Sequence, residues 1–185
     1  MLEISDYYIL EELNNSNNSI IYKAVQKLSN QKVILKVLKE EYPTNEKLHR
    51  YHQEFGITNN INSESIIKSY DLFKHKSKHI IVFEDFGASA LNVLYKNKKL
   101  DLKEFLIIAI KITQALENLH KNNIIHKDIN PSNIVYNQDT KELKIIDFGI
   151  STQLSQENTP LINPDILEGT LQYMSPEQTG RMNRV

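Results

Sequence analysis

The amino-acid sequence predicts an α+β fold with a strand-rich first part and a helical second part. In the first 86 residues, β-branched and aromatic side chains cluster in short runs bounded by turn-forming residues, a pattern that favours strands. Five strands are predicted, at residues 7–10, 20–25, 33–38, 69–74 and 79–83, and a run of turn-formers lies at 14–19. After Gly87 the composition changes and the apolar spacing becomes helical.

Two helices are predicted from capping residues and apolar spacing. The first follows Pro43 with Thr44 as its cap, and its expected apolar face comprises Leu48, Tyr51, His52 and Phe55. The second follows Asp101 and ends near residues 122–123. Its expected apolar stripe comprises Phe105, Ile108, Ile112, Ala115 or Leu116, and Leu119. Two short strands, at 133–136 and 143–146, and an irregular loop at 150–168 complete the prediction.

Composition excludes several classes of protein. The 185 residues are 40% hydrophobic and 24% charged, which is ordinary for a globular domain. A net charge of −1 gives no indication of a nucleic-acid partner or an anionic membrane. The absence of cysteine excludes disulfides, thiolate zinc sites and cysteine nucleophiles. Residues 1–6 do not resemble a secretory leader and no apolar run could span a bilayer, so a cytoplasmic protein is expected.

Three oxygen-bearing side chains follow the second predicted helix at short spacing. Asp128 precedes Asn133 by five positions, and Asp147 comes directly after an apolar strand at 143–146. A lone aspartate in a loop is usually a turn-former, but this combination can place a base and two metal-binding oxygens around one phosphate. Phosphoryl transfer needs chiefly an oriented nucleophile and neutralised phosphate charge.

These segments resemble the motifs of the protein kinase family. Residues 125–133, IHKDINPSN, are similar to its H-R-D-x-x-x-x-N catalytic loop, and residues 147–149 match its D-F-G motif. Residues 33–36, VILK, resemble its V-A-I-K strand, and residues 169–177 resemble its G-T-x-x-Y-x-A-P-E segment. The threonine at 170 is typical of serine/threonine kinases, and this last segment argues against a small-molecule phosphotransferase.

The resemblance implies a two-lobed protein-kinase-like fold. Residues 1–86 would form a β-rich N-lobe with one helix, and residues 87–185 the first part of a helical C-lobe. The C-lobe is expected to be incomplete, because the chain stops soon after the P-E motif, at Pro176 and Glu177. Apolar surface on the second helix should then remain exposed. The implied activity is transfer of the γ-phosphoryl group of ATP, with Mg²⁺, to a hydroxyl of a protein substrate.

Site residues follow from the same resemblance. Asp128 would be the catalytic base, and Asn133 and Asp147 would bind magnesium and, through it, the nucleotide. Lys36 would contact the α- and β-phosphates and pair with Glu54, since a lysine in an apolar strand needs an anionic partner. The backbone carbonyl of Glu84 and amide of Phe86 would bind the adenine edge at the hinge between the lobes.

The sequence also departs from the family pattern. Asn14, Ser16 and Ser19 occupy the positions of the three glycines in the phosphate loop, so a weaker closure over ATP is expected. Lys127 replaces the usual arginine, and Asn130 replaces a lysine that touches the γ-phosphate, so a lower rate is expected. These departures leave open the alternative of a catalytically impaired pseudokinase that binds ATP and docks to a partner.

A narrower resemblance concerns residues 128–133 and 168–184. They are similar to the N-terminal kinase module of large bacterial hybrid signalling proteins. In such proteins an ATPase-like region and a sensor histidine kinase follow the kinase module. Ser151, Thr152, Ser155 and Thr159 are candidate phosphorylation sites in the preceding loop.

Overall fold

The computed structural model describes residues 4–154 and 169–179 of the chain. It contains two compact units. The first consists of Met1–Asn60 and Ile67–Gly87, and the second of Ile61–Ile66 and Ala88–Val185. The short segment Ile61–Ile66 belongs to the second unit, where Ile66 forms an isolated parallel bridge with Ile145.

The first unit is a five-stranded antiparallel sheet with one helix, which confirms the predicted β-rich region. The strand order is β1-β2-β3-β5-β4. The elements are β1 (Tyr7–Asn15), β2 (Ser19–Gln26), β3 (Lys32–Leu38), α1 (Asn45–Asn60), β4 (Ser69–His75) and β5 (Lys78–Glu84). The predicted turn at 14–19 is shorter than expected, because Asn14 and Asn15 continue β1 and pair with Ile21 and Ile20.

Alternation along the strands divides the sheet into two faces. One face carries the core cluster, whose buried members are Ile4, Tyr7, Ala24, Val33, Leu35, Val37, Ile80 and Val82. The opposite face carries Lys36, which lies between Ile21 and Ile81 in the register, and Ile34, which lies between Lys23 and Phe83. The register therefore places two lysines and four large apolar side chains on one surface.

Helix α1 begins as predicted, and its buried face agrees with the prediction in part. Thr44 Oγ1 accepts a 3.3 Å hydrogen bond from the Lys47 N–H, as a cap should. The buried residues are Tyr51, Glu54, Ile57 and Thr58, whereas His52 is exposed. The predicted face was wrong at His52 because two polar side chains occupy buried positions. Glu54 pairs with Lys36, and Thr58 Oγ1 lies 2.9 Å from Ser69 Oγ.

The second unit combines one long helix with short strands. Its elements are β6 (Ser89–Ala90), α2 (Leu91–Leu94), α3 (Leu102–Lys121), β7 (Ile124–Ile125), β8 (Ile134–Tyr136), β9 (Leu143–Ile145), β10 (Thr152–Gln153) and two 3₁₀ turns (Leu171–Tyr173 and Pro176–Thr179). Strands β6, β8 and β9 form one sheet, and β7 pairs with β10. Helix α3 is capped as predicted, since Asp101 accepts from the Glu104 N–H at 2.8 Å.

Helix α3 buries only part of its predicted stripe. Ile108, Ala115 and Leu119 are buried, and Ile108 packs in a cluster with Ile134, Tyr136 and Leu143. Phe105 is exposed, as are Leu102, Leu106 and Ile110. Within the described ranges, no helix has the length and apolar character required to cross a bilayer.

Candidate active site

In the first unit, strand β3 and helix α1 bring together Lys36 and Glu54. The Lys36 Nζ lies 2.7 Å from Glu54 Oε1 and 2.6 Å from Oε2, so the ammonium group is held by both oxygens. Only 13% of the lysine side chain and 4% of the glutamate side chain are exposed. The Tyr51 hydroxyl on α1 donates to the backbone carbonyl of Lys36 and further fixes the helix against the strand. The predicted partnership of these residues is therefore a buried, bidentate ion pair.

The segment after β5, residues 84–87, is the predicted hinge. The Glu84 N–H donates to the Lys68 carbonyl at 3.0 Å, and Glu84 Oε1 accepts from the Lys68 N–H at 2.8 Å. Asp85 Oδ1 accepts from the Gly87 N–H at 2.9 Å, and Gly87 has a φ of +73° that favours glycine. Phe86, between them, is half-buried. The adenine-binding roles of the Glu84 carbonyl and the Phe86 amide stay predictions.

In the second unit, Asp128 and Asn133 are in direct contact. The Asn133 Nδ2 donates to Asp128 Oδ2 and to the Asp128 carbonyl, both at 2.9 Å. The other carboxylate oxygen, Asp128 Oδ1, accepts from the Thr170 N–H at 2.8 Å. With its amide nitrogen turned towards Asp128, Asn133 has its amide oxygen available as a ligand of the kind that magnesium binds.

His126 connects this loop to the strand that precedes Asp147. Its Nδ1 accepts from the Asp128 N–H at 3.2 Å, so Nε2 carries the proton and donates to the Ile146 carbonyl at 3.0 Å. The ring also meets Phe148 edge-on at 4.8 Å between centroids. Burial lowers the pKa of His126 below its ordinary value of 6.5, and the Ile146 carbonyl, Asp147 and Asp128 oppose that shift. The neutral imidazole thus connects the backbone of Asp128 to that of Ile146 through two hydrogen bonds.

Asp147 lies close to the same loop. The Ile146 N–H donates to the Asn133 carbonyl at 3.0 Å, so the residue before Asp147 is bonded to Asn133. Asp147 has a φ of +66° and Lys127 a φ of +68°. Left-handed backbone at non-glycine residues costs about 1–3 kcal/mol and is common at functional sites. The second unit therefore brings Asp128, Asn133 and Asp147 together.

The donor set fits a magnesium ion. Asn133 and Asp147 offer one amide oxygen and one carboxylate, and magnesium commonly takes one or two protein oxygens and completes its shell with water and phosphate. In the residues that the structure describes, no cluster of three or more His, Cys, Asp or Glu side chains could hold a metal. A metal that requires a cage of such side chains is not supported there.

The segment 169–179 is bonded to the Asp128 loop, residues 126–133, through the side chains of Asn130 and Gln178. The buried Asn130 donates from Nδ2 to Thr170 Oγ1 at 3.1 Å and to the Asp128 carbonyl at 3.2 Å, and its Oδ1 accepts from the Ser132 N–H at 2.8 Å. Gln178 Nε2 donates to the Lys127 carbonyl at 2.8 Å. Asn130, predicted only as a lost positive charge, is thus a structural link between the two segments.

Gly169 explains how that segment approaches so closely. Its φ is +119°, and a Cβ atom there would lie 3.0 Å from the Lys127 carbonyl oxygen. The backbone angle favours glycine, and a side chain there would also force the Lys127 carbonyl to shift.

Of the predicted phosphorylation sites, Ser151 is buried and donates to the His126 carbonyl at 3.3 Å. Thr152 lies in β10, and Ser155 and Thr159 lie outside the described residues.

The turn that replaces the glycine-rich loop is closed by serine side chains. Ser16 Oγ donates to the Ser19 carbonyl at 3.0 Å and accepts from the Ser19 N–H at 3.1 Å. Asn14, Ser16 and Ser19 all have negative φ. The conformation seen therefore does not require glycine at any of the three positions.

Comparison with known proteins agrees with this geometry. A family model described as "Protein kinase domain" matches residues 7–184, and the chain belongs to the protein kinase family. A probable serine/threonine-protein kinase of Clostridium acetobutylicum is 33% identical over 174 residues, which cover 93% of this chain and 26% of that protein. The serine/threonine-protein kinase PrkC of Bacillus subtilis is 30% identical, with 93% and 26% covered.

A plant protein with lower identity to this chain is also a serine/threonine-protein kinase. The serine/threonine-protein kinase TIO of Arabidopsis thaliana is 29% identical over 174 residues, which cover 94% of this chain and 13% of that protein. The chain therefore spans about a quarter or less of the length of these curated relatives.

Proposed function

We propose that this chain is a serine/threonine protein kinase domain that transfers the γ-phosphoryl group of Mg-ATP to a hydroxyl of a protein substrate. The observation that carries the proposal is the contact of Asp128 with Asn133, next to an Asp147 held in left-handed backbone. The buried Lys36–Glu54 pair in the first unit supports it independently. Both arrangements agree with the roles these positions have in the family.

Each residue has a distinct role in this proposal. Asn133 and Asp147 would hold Mg²⁺, which neutralises charge on the transferred phosphoryl group when it is bound. Lys36, kept in place by Glu54, contacts nucleotide phosphate. Asp128 orients the acceptor hydroxyl and accepts its proton, and the Asn133 amide and the Thr170 N–H hold the carboxylate that does so.

The acceptor is proposed to be serine or threonine of a protein. Thr170 supports this, because its main chain and hydroxyl are both bonded to the Asp128 loop, and the named relatives are serine/threonine kinases. We place the reaction in the cytoplasm, where ATP is abundant. On the resemblance of residues 128–133 and 168–184 alone, ATPase-like and histidine kinase regions of a parent protein are the proposed partners.

Nucleotide binding is the first test of this function. Mg-ATP should raise the melting temperature of the wild-type chain, and Lys36→Ala or Asp147→Ala should abolish the increase. Lys32→Ala, at the exposed start of β3, and Asp139→Ala, in an exposed turn, are matched controls that should keep it. Equal increases in the wild type and in both site variants would reject the proposed site.

Transfer itself is tested with Asp128→Asn. Autophosphorylation with labelled ATP should fall by about 10²–10⁴-fold in this variant, the usual contribution of a general base. The increase in melting temperature with Mg-ATP should persist. A wild-type chain that binds Mg-ATP but transfers nothing to itself or to a generic protein substrate would identify the impaired, nucleotide-binding alternative.

A further inference from the structure

We propose that Lys23 and Asp85 form an ion pair that positions the hinge backbone for the purine base of the nucleotide. This inference rests on the proposed function, since it assumes that residues 84–86 receive the base. It adds two positioning residues outside the motifs of the family. Their effect should be confined to the base and should not extend to the phosphates.

The pair is defined by one buried carboxylate with two attachments. Asp85 Oδ1 accepts from the Gly87 N–H at 2.9 Å, and Asp85 Oδ2 lies 3.4 Å from Lys23 Nζ. The aspartate side chain is 6% exposed, whereas that of Lys23 is 32% exposed. Within the described residues Oδ2 has no hydrogen-bond partner, so its compensation comes from the charge of Lys23.

The sheet register explains how a lysine on β2 reaches the end of β5. Lys23 is opposite Ile34 on β3, and Ile34 is opposite Phe83 on β5. These three residues form one cross-strand row on the face that also carries Lys36. Asp85 follows Phe83 by two positions, just beyond the end of β5, and the Lys23 ammonium group reaches it there. The pair thereby links β2 to the hinge across the intervening strand.

The position of Asp85 determines what the link can do. It lies between Glu84 and Phe86, whose backbone carbonyl and amide are the predicted purine contacts. One oxygen of Asp85 fixes the turn at Gly87, and the other fixes the segment to β2. Loss of the lysine charge would leave a buried carboxylate without its cation, and the segment would have to shift to hydrate it. Backbone hydrogen bonds to the base depend steeply on distance and angle.

Matched variants separate this role from a general loss of structure. Lys23→Met removes the charge and keeps the aliphatic stem, and Lys23→Arg restores the charge. Asp85→Asn keeps the side-chain oxygen that accepts from Gly87 and removes the carboxylate. Lys32→Met, on the exposed start of β3, is the control for loss of a lysine from this sheet.

The experiment measures binding of two probes to the whole chain by calorimetry. Magnesium-ADP contains the base, and magnesium-tripolyphosphate contains only phosphates. Lys23→Met and Asp85→Asn should weaken Mg-ADP binding about threefold to tenfold, the effect of one partly exposed ion pair. Both variants should bind Mg-tripolyphosphate like the wild type. Lys23→Arg should recover Mg-ADP affinity, and in transfer assays Lys23→Met should raise KM for ATP and leave kcat unchanged.

The alternative outcomes are distinct. Equal Mg-ADP affinities in the wild type, Lys23→Met and Asp85→Asn would overturn the positioning role and leave the proposed kinase function intact. Parallel losses for both probes would also overturn it, because they would indicate a general structural effect. A wild-type chain that binds neither probe would overturn the proposed function, and the inference with it.

Discussion

The two compact units hold their candidate site residues by different physical means. In the first unit, Lys36 and Glu54 are positioned by regular structure, a central strand and a helix that packs on the sheet, and their ion pair is buried. In the second unit, Asp128, Asn133 and Asp147 lie in loops between short strands. There, side-chain to backbone hydrogen bonds and two left-handed residues determine where each group lies.

The two groups of residues should therefore respond differently to mutation. In a buried pair on regular elements, removal of one member takes away the charge that is held directly against the other. A loop network has many members, among them His126, Asn130 and Thr170, so loss of one should loosen a part of it. We therefore expect that loss of one member of the ion pair has a large effect in the first unit. Loss of a single loop residue should have a smaller and local effect in the second unit.

The largest expected effect is that of Glu54→Ala. Removal of this carboxylate leaves the Lys36 ammonium group buried without its bidentate partner, and such changes cost about 3–5 kcal/mol of unfolding free energy. Urea denaturation should show the loss. Glu46→Ala on the same helix is the control: Glu46 is 67% exposed and pairs with Arg50 at the surface, so its loss should cost less than about 1 kcal/mol.

A double variant distinguishes charge from packing in the same pair. Lys36→Met with Glu54→Leu replaces both charges by apolar groups, and such replacements are often neutral or stabilising. The double variant should recover most of the stability lost in Glu54→Ala. It should not bind Mg-ATP, because it lacks the Lys36 ammonium group. A double variant no more stable than Glu54→Ala would show that the pair is not the source of the effect.

Asn130→Ala should have an intermediate effect, confined to the loop network. It removes the donor to Thr170 Oγ1 and the acceptor of the Ser132 N–H. Both of these residues are exposed, so water can replace Asn130 and each lost hydrogen bond should cost about 0.5–1.5 kcal/mol. Hydrogen exchange of the Thr170 amide should accelerate as segment 169–179 loosens from Asp128. Asn97→Ala, in an exposed turn, should leave that exchange unchanged. Unaltered exchange in Asn130→Ala would show that Asn130 does not hold the segment.

The same contrast decides what could be predicted from sequence. Strands of the first unit were predictable because alternation and turn residues record which face is buried. His52 was wrongly placed on the buried face because Glu54 and Thr58 are buried through polar partners that apolar spacing cannot indicate. Strands β6, β7 and β10 have two residues each, too few to leave a period.

The hydrogen bonds around Asp128 and Asn133 could not be predicted from sequence patterns for a related reason. The roles of Asp128, Asn133 and Asp147 follow from the resemblance to protein kinases. Their spacing alone is compatible with several functions. The bonds that hold them come from His126, Asn130 and Thr170. Short polar side chains can bond to nearby backbone in many alternative ways, and the sequence does not indicate which of these bonds forms in the folded chain.

The smallest expected effect is a pH dependence that originates at His126. Burial lowers its pKa in the folded chain, whereas the unfolded chain takes up a proton below about pH 6.5. The unfolded state then binds more protons, so stability is unaffected above that pH and falls as the pH decreases towards the folded pKa. The slope from one such group reaches about 1.4 kcal/mol per pH unit. Urea denaturation at pH 7.5, 6.5 and 5.5 should show a smaller decline in His126→Gln than in the wild type. His120→Gln, at the exposed end of α3, should decline like the wild type, and a wild-type slope retained in His126→Gln would show that the buried imidazole does not cause it.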